Sequence, residues 1–148
     1  MLKKLLGLFY TLFPTHAVAQ SDGASAILKV GTPLVVESSA ADGTNRVVFE
    51  DDGETGYFYA LDLTEDLPIQ EAISIYNADQ VADRAQPSKL KIIWSSDHRK
   101  AGLWINDYPH AIFDFSAKRG YSRSNFPLPQ KWKTHDFSWD DTALKFFG

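Results

Sequence analysis

Apolar side chains in this chain alternate with a period of two from Pro33 onward, and glycine, proline, aspartate and asparagine interrupt the alternation every few residues. Successive side chains of a strand point to opposite faces, so this pattern builds half-buried sheet. Residues 57–63 are the clearest case, with Tyr57, Tyr59, Leu61 and Leu63 on one face and Phe58, Ala60 and Asp62 on the other. Residues 34–37 and 46–50 are shorter candidates. Between 50 and 57 the Asp52-Gly53 step and Gly56 supply the positive backbone angles of a hairpin.

After Asp66 and Pro68 the spacing Ile69, Ala72, Ile73, Tyr76 fits a short helix capped by aspartate, while Ile73 and Ile75 equally fit a strand; the expectation is a short helix running into extended chain. Residues 78–88 are polar and read as a loop. Residues 89–95, 101–106 and 110–115 then alternate again across short loops, so sequential antiparallel pairing follows. Residues 117–133 hold Gly120, Pro127 and Pro129 and no period, which reads as a long loop or arm. Ser138 ahead of Asp140 and Asp141 suggests a short capped tail helix. The fold class expected is α+β, a mainly antiparallel meander sheet of about five to seven strands with one or two short helices.

The amino terminus reads differently. Lys3 and Lys4 precede an apolar run at 5–13, then Pro14 and the small-x-small Ala17-Val18-Ala19. This is the layout of a secretory signal cleaved after Ala19, and the run is too short to span a bilayer. Leu2, Leu5, Leu6, Phe9, Leu12 and Phe13 also recur at helical spacing, so an amphipathic helix touching the body or, transiently, a membrane surface is the alternative. The organisation expected is 1–19 as signal or helix, 20–32 as a flexible leader, and 33–148 as one domain. Cleavage places the protein in the periplasm or outside the cell, retention in the cytoplasm.

A chain of 148 residues, 44% hydrophobic and 23% charged, with no cysteine, is not a disordered polymer, a disulfide-stapled miniprotein, a thiolate zinc module or a polytopic membrane protein. Its net charge of −4 hides a split: residues 1–85 carry 5 basic and 13 acidic groups, whereas 86–148 carry 10 and 6. Lys118, Arg119, Arg123, Lys131 and Lys133 form a stretch without an acid, interleaved with Tyr121, Phe126 and Trp132. Cations with aromatics suit single-stranded nucleic acid, but the acidic total opposes a polyanion, and aromatics anchoring a solvated loop is the simpler account.

Glu50, Asp51, Asp52 and Glu54 crowd one turn, where exposure at a hairpin tip relieves their repulsion without a cation. His110 and Asp114 share a strand face, and with Arg123 they are the candidate acid–base set. No nucleophile accompanies them. Histidines 16, 98, 110 and 135 show no ligand spacing, and no glycine-rich phosphate loop is present, so neither metal nor cofactor is assigned.

The strings Val48-Phe49-Glu50-Asp51-Asp52-Gly53-Glu54-Thr55-Gly56-Tyr57-Phe58-Tyr59, Ile105-Asn106-Asp107-Tyr108-Pro109-His110-Ala111-Ile112-Phe113-Asp114-Phe115 and Arg119-Gly120-Tyr121-Ser122-Arg123 resemble a bacterial family of unknown function, number 2251. The likeness covers roughly residues 45–140. It implies a small bacterial domain and carries over no catalytic residue. Two function classes follow. The leading one is a non-catalytic binding or inhibitor module, immunity-like, engaging a protein partner through Asp51, Asp52 and Glu54 on one side and Tyr108, Arg119, Tyr121 and Arg123 on the other. The alternative is a small hydrolase-like enzyme using His110 with a nearby carboxylate.

Overall fold

A computed structural model describes residues 16–19, 23–124 and 138–148, the first four as backbone only. Among them are ten strands in two five-stranded sheets. Strands β1 (His16–Ala19), β3 (Leu34–Ser39), β4 (Asn45–Asp51), β5 (Thr55–Asp62) and β6 (Ile69–Asn77) form the first in the order β1-β3-β4-β5-β6. The second, in the order β10-β9-β8-β7-β2, holds β2 (Ala24–Leu28), β7 (Ser88–Trp94), β8 (Lys100–Ile105), β9 (Tyr108–Asp114) and β10 (Arg119–Ser122). All pairs are antiparallel except β1 with β3. Each sheet is thus a four-strand meander with one amino-terminal strand added at its edge.

The inner faces pack on each other. Val36, Val47, Phe49, Phe58, Ala60 and Ile73 of the first sheet share a core with Leu28, Leu90, Ile92, Ala101, Leu103, Ala111 and Phe113 of the second. Phe58 and Phe113 stack across the interface with centroids 5.1 Å apart, and the Trp94 indole donates to Ser38 Oγ at 2.9 Å, so even the polar crossing is bonded. Each fully buried Phe contributes about 1.5–3 kcal/mol by removal from water, which is why the alternation is so strictly kept here.

Three hairpins at one end use the same device. In Asp42-Gly43-Thr44, Asp62-Leu63-Thr64 and Asp114-Phe115-Ser116 the aspartate Oδ1 accepts both the amide and the hydroxyl two residues on, at 2.6–3.0 Å. The β8–β9 connection is a two-residue turn, Asn106-Asp107, with φ of 52° and 63°, the left-handed pair that matches strand twist.

Several expectations change. No α-helix occurs among the described residues, so the α+β class gives way to a mostly antiparallel β fold with two short 3-10 segments, Ala78–Gln80 and Asp141–Phe147. The expected helix after Asp66 is strand β6. Its pairing with β5 shifts register twice, at Gly56/Tyr57 and at Ala60/Leu61, so Ile69 and Ala72 fall on the outer face and Ile73 and Ile75 on the inner one. Those breaks of phase imitate helical spacing. Two sheets replace the single one of five to seven strands. Residues 24–28, inside the expected leader, form β2 and bury Leu28 completely. Residues 119–122, inside the expected arm, form β10, while 125–137 lie outside the described residues. In the tail, Asp140 rather than Ser138 is the cap, accepting from the Thr142 amide at 2.9 Å. Among the described residues no helix is long and apolar enough to cross a membrane.

Candidate recognition site

The Asn106-Asp107 turn launches β9 with Tyr108 outermost, and 51% of Tyr108 stays exposed. One strand over, Arg123 follows β10 directly. Its amide donates to the His110 carbonyl at 3.1 Å, extending the ladder, and its Nε donates to the Pro109 carbonyl at 2.7 Å. Backbone and side chain of Arg123 are therefore each tied to β9.

The third contributor comes from the tail. Ala143 is buried against Ile112 and Tyr121 on the outer face of the second sheet, and Phe147 meets Trp104 edge-on at 4.9 Å, so the 3-10 segment lies flat on that face. Gly102 makes room for it, because a Cβ there would stand 2.2 Å from the Trp104 ring and 3.1 Å from that of Phe147. This docking delivers Trp139 to Arg123. The guanidinium carbon sits 4.1 Å from the Trp139 ring centre and 4.6 Å from that of Tyr108. Asp141 closes the cluster, accepting from Trp139 Nε1 at 2.7 Å and, more loosely, from Arg123 Nη2 at 3.4 Å. His110 stands edge-on to Tyr108 at 5.3 Å, and burial, reinforced by the Arg123 charge, lowers its pKa.

The arrangement is an arginine stacked between two aromatic faces, held by a backbone carbonyl and still 27% exposed. It can offer cation–π contact, apolar area and guanidinium N–H groups to one surface.

Of the expected acid–base set, His110 and Arg123 meet and Asp114 does not join them. Asp114 is buried, and its Oδ1 is occupied by Ser116 N, Ser116 Oγ and Ala117 N at the far end of β9, with Ile112 packed between. The expected basic surface is divided. Tyr108 and Arg123 form the cluster, the Arg119 guanidinium lies over Tyr121 at 4.1 Å, and Tyr121 is buried beneath Phe146. Tyr121 is a packing residue because the tail covers its side of the sheet. Lys131, Lys133 and the aromatics among them lie outside the described residues.

The acidic turn is divided too. Consecutive strand residues face opposite ways, so Glu50 is buried on the outer face, accepting from Tyr59 Oη at 3.1 Å, and Asp51 is buried on the inner one. Asp51 accepts from Gly31 N at 2.8 Å, Gly53 N at 2.8 Å and Tyr76 Oη at 2.6 Å. Asp52 binds the amides of Glu54 and Thr55, which leaves Glu54 as the exposed carboxylate of the four. Asp51 therefore holds the fold and is not a surface contact. Tyr59 and Tyr76 both have raised pKa values, from burial first and from the neighbouring Glu50 and Asp51 next.

Sequence reasoning missed Trp139 and Asp141, since the segment joining them to Arg123 carries no period. It also missed a polar depression at the opposite end, although the repeated Asp-x-Thr/Ser turns signal that end. No group of three or more His, Asp or Glu among the described residues is placed to hold a metal ion.

A family described as "Uncharacterized protein conserved in bacteria (DUF2251)" matches residues 28–148. An "Uncharacterized protein" of Haemophilus influenzae strain Rd is 46% identical over 104 residues, 69% of this chain; the chain spans 65% of that relative's length. No solved structure matches.

Proposed function

The chain belongs to the bacterial family DUF2251, and we propose that it is a non-catalytic protein-recognition module, of the inhibitor or immunity kind, whose contact surface centres on Arg123 between Tyr108 and Trp139. The stacked arginine is the observation that carries this reading. Trp, Tyr and Arg are the residues that dominate binding energy at interfaces, and here the three meet in one cluster. The Pro109 carbonyl and the two rings fix the guanidinium before a partner arrives, so little side-chain entropy remains to be lost on binding. The fitting partner presents a carboxylate, because Asp141 already occupies one N–H edge in that role at a loose 3.4 Å and a better-placed acid displaces it.

Asp114, committed to Ser116 and Ala117, gives the hydrolase alternative no support. The same reading takes residues 1–19 as an export signal; cleavage removes β1 and leaves β3 as the edge of its sheet. Affinity purification from the native cells tests both parts. The expected result is a saturable partner that Arg123→Ala loses, with an intact mass starting at Gln20. Equal recovery by wild type and Arg123→Ala overturns the surface, and a mature chain that keeps Met1 overturns the export.

A further inference from the structure

At the end of the sandwich opposite Arg123 lies a depression of about 430 Å³. Three turns line it: Asp42 and Asn45 come from β3–β4, His98 and Arg99 from β7–β8, and Phe115 and Ser116 from β9–β10. Most polar groups of this end are committed to the turns themselves. Asp97 holds Ser95 Oγ, the Arg99 amide and Lys100 Nζ at 2.6–3.0 Å, and Ser116 Oγ donates to Asp114.

Four groups are not committed in that way. Asp42 uses Oδ1 for the Thr44 amide and hydroxyl and has no described partner for Oδ2. The Asn45 amide and the Arg99 guanidinium have no hydrogen-bond or ion-pair partner among the described residues. His98 Nδ1 is out of contact with solvent and equally without a partner. Its residue is held at φ 57° and lines the depression.

A cation and an anion therefore line one concavity of a size that takes a small ligand, with no hydrogen bond between them and with the Arg99 charge, after the Thr44 hydrogen bonds, helping to lower the pKa of Asp42 across it. An inorganic anion there would meet Asp42 and a metal ion would meet Arg99, and a neutral polyol would offer neither of these exposed charges an opposite one. A molecule carrying both signs a few bonds apart satisfies both. We propose that this depression binds a free α-amino acid, with its carboxylate on Arg99, its ammonium on Asp42 Oδ2, a hydrogen bond from Asn45, and its side chain packed toward His98 and Phe115. The site is independent of the recognition surface and stands or falls without it.

Titration calorimetry of the full chain against the twenty proteinogenic amino acids, each up to ~10 mM, tests this. At least one gives a saturable isotherm. Its N-acetyl and its carboxamide derivatives each bind at least about 10-fold more weakly, since each lacks one charge-assisted contact. Asp42→Asn, which keeps an acceptor for the Thr44 turn, and Arg99→Gln reproduce the two losses separately while the melting temperature stays within about 2 °C. His98→Gly, whose backbone suits φ 57°, weakens binding several-fold in a folded protein. No isotherm with any amino acid overturns the proposal. So does a derivative that binds as well as its parent, or an unchanged affinity in the Asp42→Asn, Arg99→Gln double variant.

Discussion

Replacing Asp51 separates two accounts of the acidic turn. On a surface-patch account Asp51→Ala changes partner binding and leaves stability alone. In the structure its carboxylate receives Gly31 N, Gly53 N and Tyr76 Oη, joining the segment before β3, the β4–β5 turn and the end of β6. Removing the acceptor strands three donors, each worth about 1–3 kcal/mol when left unsatisfied in a buried place. Two of them belong to partly exposed backbone that water can reach, so the sum is discounted to about 3–4 kcal/mol, a quarter or more of the stability of a typical domain. With a urea m-value of about 2 kcal/mol/M this moves the unfolding midpoint down by ~1.5–2 M at unchanged m. Tyr76→Phe, losing one hydrogen bond to a charged group, falls by about 1.5–3 kcal/mol. The double variant falls by less than the sum, because the two changes remove one shared bond. Glu54→Ala, at the exposed corner of the same turn, stays within ~0.5 kcal/mol. A midpoint for Asp51→Ala equal to that of Glu54→Ala refutes the reasoning.

Acidification should act in two steps. The folded-state pKa of His110 is depressed by burial and by Arg123, so below the ordinary histidine value of about 6.5 the unfolded chain takes up a proton first and stability falls; His110→Gln removes this step from a plot of urea midpoint against pH. Asp42 and Asp97 are held below the usual carboxylate range, by the Thr44 amide and by Lys100 respectively, so their contribution persists above about pH 4 and is lost as pH falls toward their folded values. At the tail, Gly102→Ala forces a methyl into the Trp104 and Phe147 rings and destabilises by about 1–3 kcal/mol, with the 3-10 segment losing amide-exchange protection before the sheets do. Arg123→Lys keeps the charge and loses the planar stack, so affinity for the partner drops at least about 10-fold in calorimetry; unchanged affinity contradicts the role given to the rings.

What is legible in the sequence follows from local rules. Alternation is fixed by strand geometry, so β4, β5, β7, β8 and β9 stand near where period two places them, and the chain order of the meanders follows from short loops. The likeness at residues 45–140 named the right family for the same local reason, since the strings that carry it are turns and strands. Where a bulge breaks the phase, as in β6, the pattern reads as a helix, because spacing alone cannot distinguish a shifted ladder from a 3.6-residue period.

The candidate site depended on contacts far apart in the chain. Trp139 and Asp141 reach Arg123 only because Ala143 and Phe147 find the outer face of the second sheet. Likewise the fate of Glu50, Asp51, Asp52 and Glu54 turned on which face each occupies once two sheets enclose a core, not on how many carboxylates adjoin. By itself the sequence determined that this chain builds antiparallel strands and where most of them turn, since those are properties of neighbouring residues. Only the tertiary structure decided that the strands divide between two sheets, which charges are buried, and which side chains meet, because burial and long-range contact are set by surfaces that do not exist until the chain has folded.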